Sequence, residues 1–328
     1  MSPARARVLV GLAAAASAAL VVGVTVLQAE DGGSSEPVAE EGPERRPPPL
    51  ELGLFVRDDA EARALREAES QLDEGERDEA GAQFDELLAE NPESVEAAVG
   101  AAIASWPEGT VERLESLVAQ HPGSGVARLH LGLALLAEGQ AETAEAELRE
   151  VLSRDPDSPA ALRAEDILNP EFAPGRPLFV APLAAPGGLE GLPPEEQLAE
   201  LERAAVEGGV DEKLFYGIAL QRVGRPVSAR EAFAAAAAAD PESLPAKVAA
   251  ALGRFTKEDP SQAFSRLGPL ARSDEDGVVR YHLGLALSWI GQVEEARRQL
   301  TLARDADPRG FYGREADRLL DRLESVGA

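Results

Sequence analysis

The chain is predicted to be all-α, a solenoid of helix-turn-helix repeats in two tandem modules preceded by one transmembrane helix. Three observations carry this expectation. Residues 125–156 and 277–308 match when shifted by 152 positions, with eleven identities in the sixteen places from Gly125 to Gln140. Alanine, leucine, glutamate and arginine dominate while aromatic residues are 4% of the chain, a composition whose side chains lose little rotamer freedom in a helix. Glycine and proline recur on a 34-residue beat, as in stacked units that cannot bury their apolar faces singly.

Taken in order, residues 1–7 hold Arg5 and Arg7, and residues 8–29 carry no charge. About 20 such residues span the hydrocarbon layer of a bilayer. With arginines on the amino side alone, the positive-inside rule leaves residues 1–7 in the cytoplasm and places the repeats outside it. The rival reading is a secretory signal that is cleaved and frees the rest, but its best-placed cleavage site, Leu27-Gln28-Ala29, has a large residue where a small one is needed. Residues 30–58 are rich in acidic, Pro, Gly and Ser residues and read as a disordered tether. The run Arg45-Arg46-Pro47-Pro48-Pro49 within it reads as a spacer or, less simply, a polyproline ligand.

The first module is expected over 59–168 and the second over 195–328. Four repeats share one punctuation: Gly75, Gly139, Gly224 and Gly291 end a first helix in left-handed backbone, and Pro92, Pro156, Pro241 and Pro308 follow a second. Gly132, Gly217 and Gly284, with Ala68 in the first repeat, lie where paired helices approach; Ala80, Ala144, Ala229 and Ala296 keep the second helix close. The first repeat departs at Glu67, which fills a large apolar slot. Two degenerate units lie between, broken at Trp106-Pro107 and near Asp259-Pro260, and helices at 159–168 and 311–325 cap the halves. Agreement at Arg128/Arg280, His130/His282 and Gln140/Gln292, which the repeat itself does not demand, points to a tandem duplication of a three-repeat module. Residues 169–194 hold seven prolines, too many for a helix. Leu178, Phe179, Val180 and Leu183 make this linker apolar, so it is expected to lie against a groove.

These slots and spacings resemble the tetratricopeptide repeat (TPR) family, and the whole resembles single-span, membrane-anchored bacterial TPR proteins that hold or escort other envelope proteins. The resemblance implies a protein-protein interaction scaffold with a concave face lined by first-helix side chains: Val126, Leu129, Leu133 and Leu136 in one module, Val278, Tyr281, Leu285 and Trp289 in the other. The Lys, Arg and Asn clamp that some members use for a C-terminal carboxylate is absent from these slots. The expected ligand is therefore an apolar or amphipathic peptide segment of another protein. The alternatives are grooves filled internally, by the 169–194 loop or the tether, and a self-associating homo-oligomer whose groove holds a second copy.

Composition argues against other functions. A formal charge of −27 and a pI near 4.5 disfavour nucleic acid as a partner. The absence of cysteine removes disulfides, thiol catalysis and Cys-ligated zinc. His130 and His282 have no ligand residue at helical spacing, so they read as packing or hydrogen-bonding groups, not as a metal site. No phosphate loop, nucleophile elbow or H-E-x-x-H pattern is present. No cofactor and no enzymatic activity are expected.

Overall fold

A computed structural model describes residues 46–273 and 276–326. Among them are fifteen α-helices and no strand. They are α1 Ala60–Glu74, α2 Arg77–Glu90, α3 Val95–Ala104, α4 Thr110–Gln120, α5 Gly125–Ala137, α6 Ala141–Arg154, α7 Pro159–Leu168, α8 Pro194–Glu207, α9 Val210–Arg222, α10 Pro226–Ala239, α11 Leu244–Leu252, α12 Ser261–Ser273, α13 Gly277–Trp289, α14 Val293–Ala306 and α15 Phe311–Val326. No described helix is long and apolar enough to cross a membrane. The expected anchor, residues 8–29, lies outside the described residues.

The repeat punctuation acts as read. Gly75, Gly139, Gly224 and Gly291 adopt φ of 88°, 82°, 75° and 72°, and no other residue type in the described chain has positive φ. Each proline closer lies two residues beyond its helix, and after Pro92, Pro122, Pro156 and Pro241 a serine two places later caps the next one. Ser94, Ser124, Ser158 and Ser243 accept hydrogen bonds from the N–H groups of Ala97, Ala127, Ala161 and Ala246, the short-side-chain solution to orphan amides at a helix start. Pairs such as α5 with α6 and α13 with α14 pack as antiparallel neighbours. Ala144 and Leu148 on α6 are buried, as are Ala296 and Leu300 on α14. The degenerate units break at 105–109 and 253–260, where α3 gives way to α4 and α11 to α12. Glu67 is exposed, so the large apolar slot of the first repeat holds a solvated polar side chain.

The chain forms two compact units: residues 46–53 with 60–154, and residues 54–59 with 155–326. Two expectations about its organisation change. Helix α7, expected to cap the first module, belongs to the second unit. Asp157 accepts the N–H groups of Val227 and Ser228 at 2.7 and 2.9 Å, capping α10, and Pro159 lies against Gly224. The second change concerns the tether: its described part is ordered, with Leu50 and Leu52 about 5% exposed. Their burial repays the ordering of a segment whose composition alone reads as disordered.

Candidate functional site

Each unit carries one histidine on the inner helix of its last repeat, and each histidine holds an extended, proline-containing strap of the same chain. In the second unit the strap lies in the linker. Phe179 exchanges two hydrogen bonds with the Gln221 side-chain amide, its N–H donating to Oε1 at 3.1 Å and its carbonyl accepting from Nε2 at 2.5 Å. The Val180 N–H donates to His282 Nε2 at 3.1 Å. His282 Nδ1 lies 2.7 Å from the Val278 carbonyl one turn back. A carbonyl only accepts and an amide N–H only donates, so the ring is neutral with its proton on Nδ1. Burial pushes its pKa down to about 4. The ring of Phe179 stacks on the imidazole at 4.8 Å between centroids and meets Phe233 edge-on at 5.5 Å.

Further bonds fix the ends of this strap. The Trp289 indole N–H reaches the carbonyls of Pro174 and Gly175 at 3.2 and 3.1 Å, and the Ala173 N–H donates to the Trp289 carbonyl. Asp166 accepts from the Gly175 N–H and from Lys257 Nζ at 2.5 Å. Glu165 pairs with Arg176 at 2.7 Å and accepts the Lys257 N–H. The Lys257 side chain is fully buried. Removing one partner of such a pair leaves the other charge uncompensated. Lys257→Met is therefore expected to destabilise the second unit by about 3 kcal/mol, measured as a lower urea midpoint. An unchanged midpoint would mean that Asp166 is already satisfied by Gly175.

The first unit repeats the device. The Glu51 N–H donates to His130 Nε2 at 3.0 Å, and His130 Nδ1 lies 2.7 Å from the Val126 carbonyl. His130 is fully buried, and burial pushes its pKa down to about 4. The Leu52 N–H donates to Glu69 Oε1 at 3.0 Å, and burial raises the pKa of that carboxyl. The straps align with a shift of 129 positions, pairing Pro48 with Pro177, Leu50 with Phe179 and Glu51 with Val180. The prolines and the apolar residues two places on are buried in both. The histidine slot was legible in the duplication, and the apolar run of the linker in its expected seat against a groove; the backbone bonds from both straps to the histidines were not.

The candidate groove residues fall into two sets. Tyr281 and Leu285 are 3% and 6% exposed and share a core cluster with Val180 of the strap and with Leu300, Ala316 and Leu319. Val278 is 2% exposed, and Trp289 is spent on the strap carbonyls. In the second unit these four side chains line a filled groove, as the expectation of a loop lying against it required. In the first unit Leu129 and Leu133 are buried, Val126 is partly buried, and Leu136 is 38% exposed. A small cleft beside the second strap is lined by Leu162, Pro177, Leu178, Phe233, Phe255 and Arg176. No group of His, Asp or Glu able to hold a metal occurs among the described residues.

Family models for the tetratricopeptide repeat match residues 65–113 and 107–165. No curated protein matches the chain. Among solved structures, a tetratricopeptide repeat protein from Parabacteroides merdae is 12% identical with a TM-score of 0.32, over 80% of this chain and 98% of that one. The human IFIT1 dimer with m7Gppp-AAAA is 15% identical with a TM-score of 0.32, over 82% of this chain and 64% of that one. Yeast Tom70 is 12% identical with a TM-score of 0.31, over 85% of this chain and 67% of that one. At these scores the likenesses carry no argument, and the assignment rests on the sequence models and on the helix pairs with their glycine and proline punctuation. Residues 65–165 are thus tetratricopeptide repeats, and the helix pairs of the second unit carry the same glycine and proline punctuation.

Proposed function

We propose that this chain is a membrane-anchored scaffold that engages an apolar or amphipathic segment of another protein, with the groove of the first unit as its working surface. The repeats supply a rigid face, and the matched repeats cover most of the first unit. The observation that carries the proposal is that this groove already accommodates an extended apolar segment, residues 46–53, through backbone N–H bonds to His130 and Glu69. A site that holds a peptide in cis has the shape and acceptors to hold one in trans. The anchor is read from residues 8–29 alone and places the repeats outside the cytoplasm.

A photo-crosslinking residue at Leu136, the most exposed of the candidate groove positions, tests this in intact cells. Adducts with other proteins are expected, and they should be missing when the same residue replaces Glu86 on α2. Adducts confined to the chain itself would sink the scaffold reading. Chain-to-chain adducts would favour the second reading, a self-associating envelope protein with internally filled grooves, which the two straps also support.

A further inference from the structure

The two straps differ in sequence yet make one common contact, and that contact states what the groove reads. At the anchored position the side chain is Glu51 in one strap and Val180 in the other, so neither charge nor branching is selected there. What recurs is a buried proline, a buried large apolar residue two positions on, and a free backbone N–H on the next residue, donated to a neutral histidine. Proline favours the extended backbone that the groove requires. Histidine Nε2 with its proton held on Nδ1 is an acceptor only, so a residue without an N–H is rejected at that place.

The units differ in how the strap is secured. Gln221, which clamps Phe179, corresponds to Leu72 under the 149-position shift that aligns their first repeats, and Trp289 corresponds to Ala137 under the 152-position shift that aligns their last. Leu72 and Ala137 offer no polar side-chain group. Tyr312, whose hydroxyl donates to the Val180 carbonyl, lies on α15, and the sequence counterpart of α15 is α7, which the second unit has incorporated. Beside its histidine, the first strap is held by Glu69 at the Leu52 N–H, and the side chains that clamp the second strap have no counterparts there.

We infer that the first-unit groove exchanges residues 46–53 for an extended segment of another protein with the pattern proline, any residue, large apolar residue, then a residue with a free amide N–H, read by His130. This rests on the scaffold reading above and names its ligand. Exchange with the strap of a second copy would replace Leu50 by Leu50 and gain no burial. A partner with phenylalanine there, as the second unit's own strap has, buries more apolar area. It must also outcompete an occupant held in cis at an effective concentration of roughly millimolar.

The test uses the full chain and a fluorescent synthetic octapeptide of residues 176–183, Arg-Pro-Leu-Phe-Val-Ala-Pro-Leu. Its control is the same peptide N-methylated at the valine. The chain carrying Leu50→Asp and Leu52→Asp, which vacate the groove, should bind the octapeptide at least ten-fold more tightly than the unaltered chain. N-methylation should weaken that binding at least ten-fold, and adding His130→Phe should abolish the difference between the two peptides. Equal binding of both peptides overturns the inference while leaving the scaffold reading intact. So does a vacated chain that keeps its helical circular dichroism and binds neither peptide. Should the double-aspartate chain lose helicity, Glu51→Pro, which removes the donated N–H and keeps the extended backbone, takes its place. Unfolding of both makes the strap a core element and overturns exchange. A dimer of the unaltered chain that the peptide converts to monomer in sedimentation would assign the groove to a second copy instead. Tight, N–H-dependent binding with no partner adducts at Leu136 would leave the recognition standing and sink the cellular role.

Discussion

Lowering the pH from 7.5 to 5 is expected to destabilise each unit by about 2 kcal/mol, before most carboxylates titrate. His130 and His282 have folded pKa values of about 4 against an ordinary 6.5. A base with a depressed folded pKa takes up its proton in the unfolded chain first. Between pH 6.5 and 4 the unfolded state therefore binds more protons, and stability rises with pH. The contribution is complete above about 6.5 and is lost as pH falls towards 4. The structural cost is specific: a proton on Nε2 sets an N–H against the N–H of Glu51 or Val180, releasing the strap in a buried site. The chain has three histidines, so few groups compete in this window. Urea unfolding at pH 7.5, 6 and 5 measures the slope. His130→Gln with His282→Gln keeps an acceptor but does not titrate and should flatten it. A slope unchanged in that double variant would place the acid sensitivity elsewhere.

The repeats were legible because their determinants are local. Gly139 ends α5 through its own φ, Pro156 follows α6, and Ser124 caps α5 within three residues. The order of the first strap and the bonds that hold both straps were not, because they depend on partners far along the chain. Glu51 and His130 are 79 positions apart, and Val180 and His282 are 102 apart. A segment such as Pro47-Pro48-Pro49-Leu50 has too little apolar surface to predict order until a groove is supplied. One clue was present: each duplicated half is preceded by a proline with a large apolar residue two positions on, and each half keeps its histidine. The groove residues meet a different limit. Periodicity marks Tyr281 and Leu285 as apolar and inward, but it does not distinguish a face awaiting a partner from one covered by Val180 of the same chain. The same limit applies to α7, whose repeat register reads as a cap on the preceding helices, although Asp157 and Glu165 tie it to the second unit's loops.

Gly217→Ala should destabilise the second unit by about 2 kcal/mol, although the aligned position in the first unit is alanine already. Substituting alanine for a mid-helix glycine ordinarily stabilises by roughly 0.5–1 kcal/mol, so the expected sign is reversed. The reason is the ring of Phe233, which lies 2.4 Å from where a Cβ on Gly217 would sit and is 1% exposed. Its edge rests on Phe179, so the ring moves only by disturbing the strap. In the first unit Phe84 leans instead on Gly100, where an added Cβ would meet the ring at 2.4 Å, while Ala68 is accommodated. Under the 149-position shift Gly100 corresponds to Ala249. At this aligned pair of positions each unit therefore keeps one glycine and one alanine against its phenylalanine, on opposite helices. Gly217→Ala combined with Ala249→Gly is expected to recover most of the loss, because the ring can turn to the other helix as Phe84 does. Thermal and urea unfolding of the two single variants and the double variant form the cycle that measures this coupling. If the two losses simply add, the ring is not the link between the sites. If Gly217→Ala proves neutral or stabilising, the helix pair α9 and α10 has slack that the close contact with Phe233 does not allow.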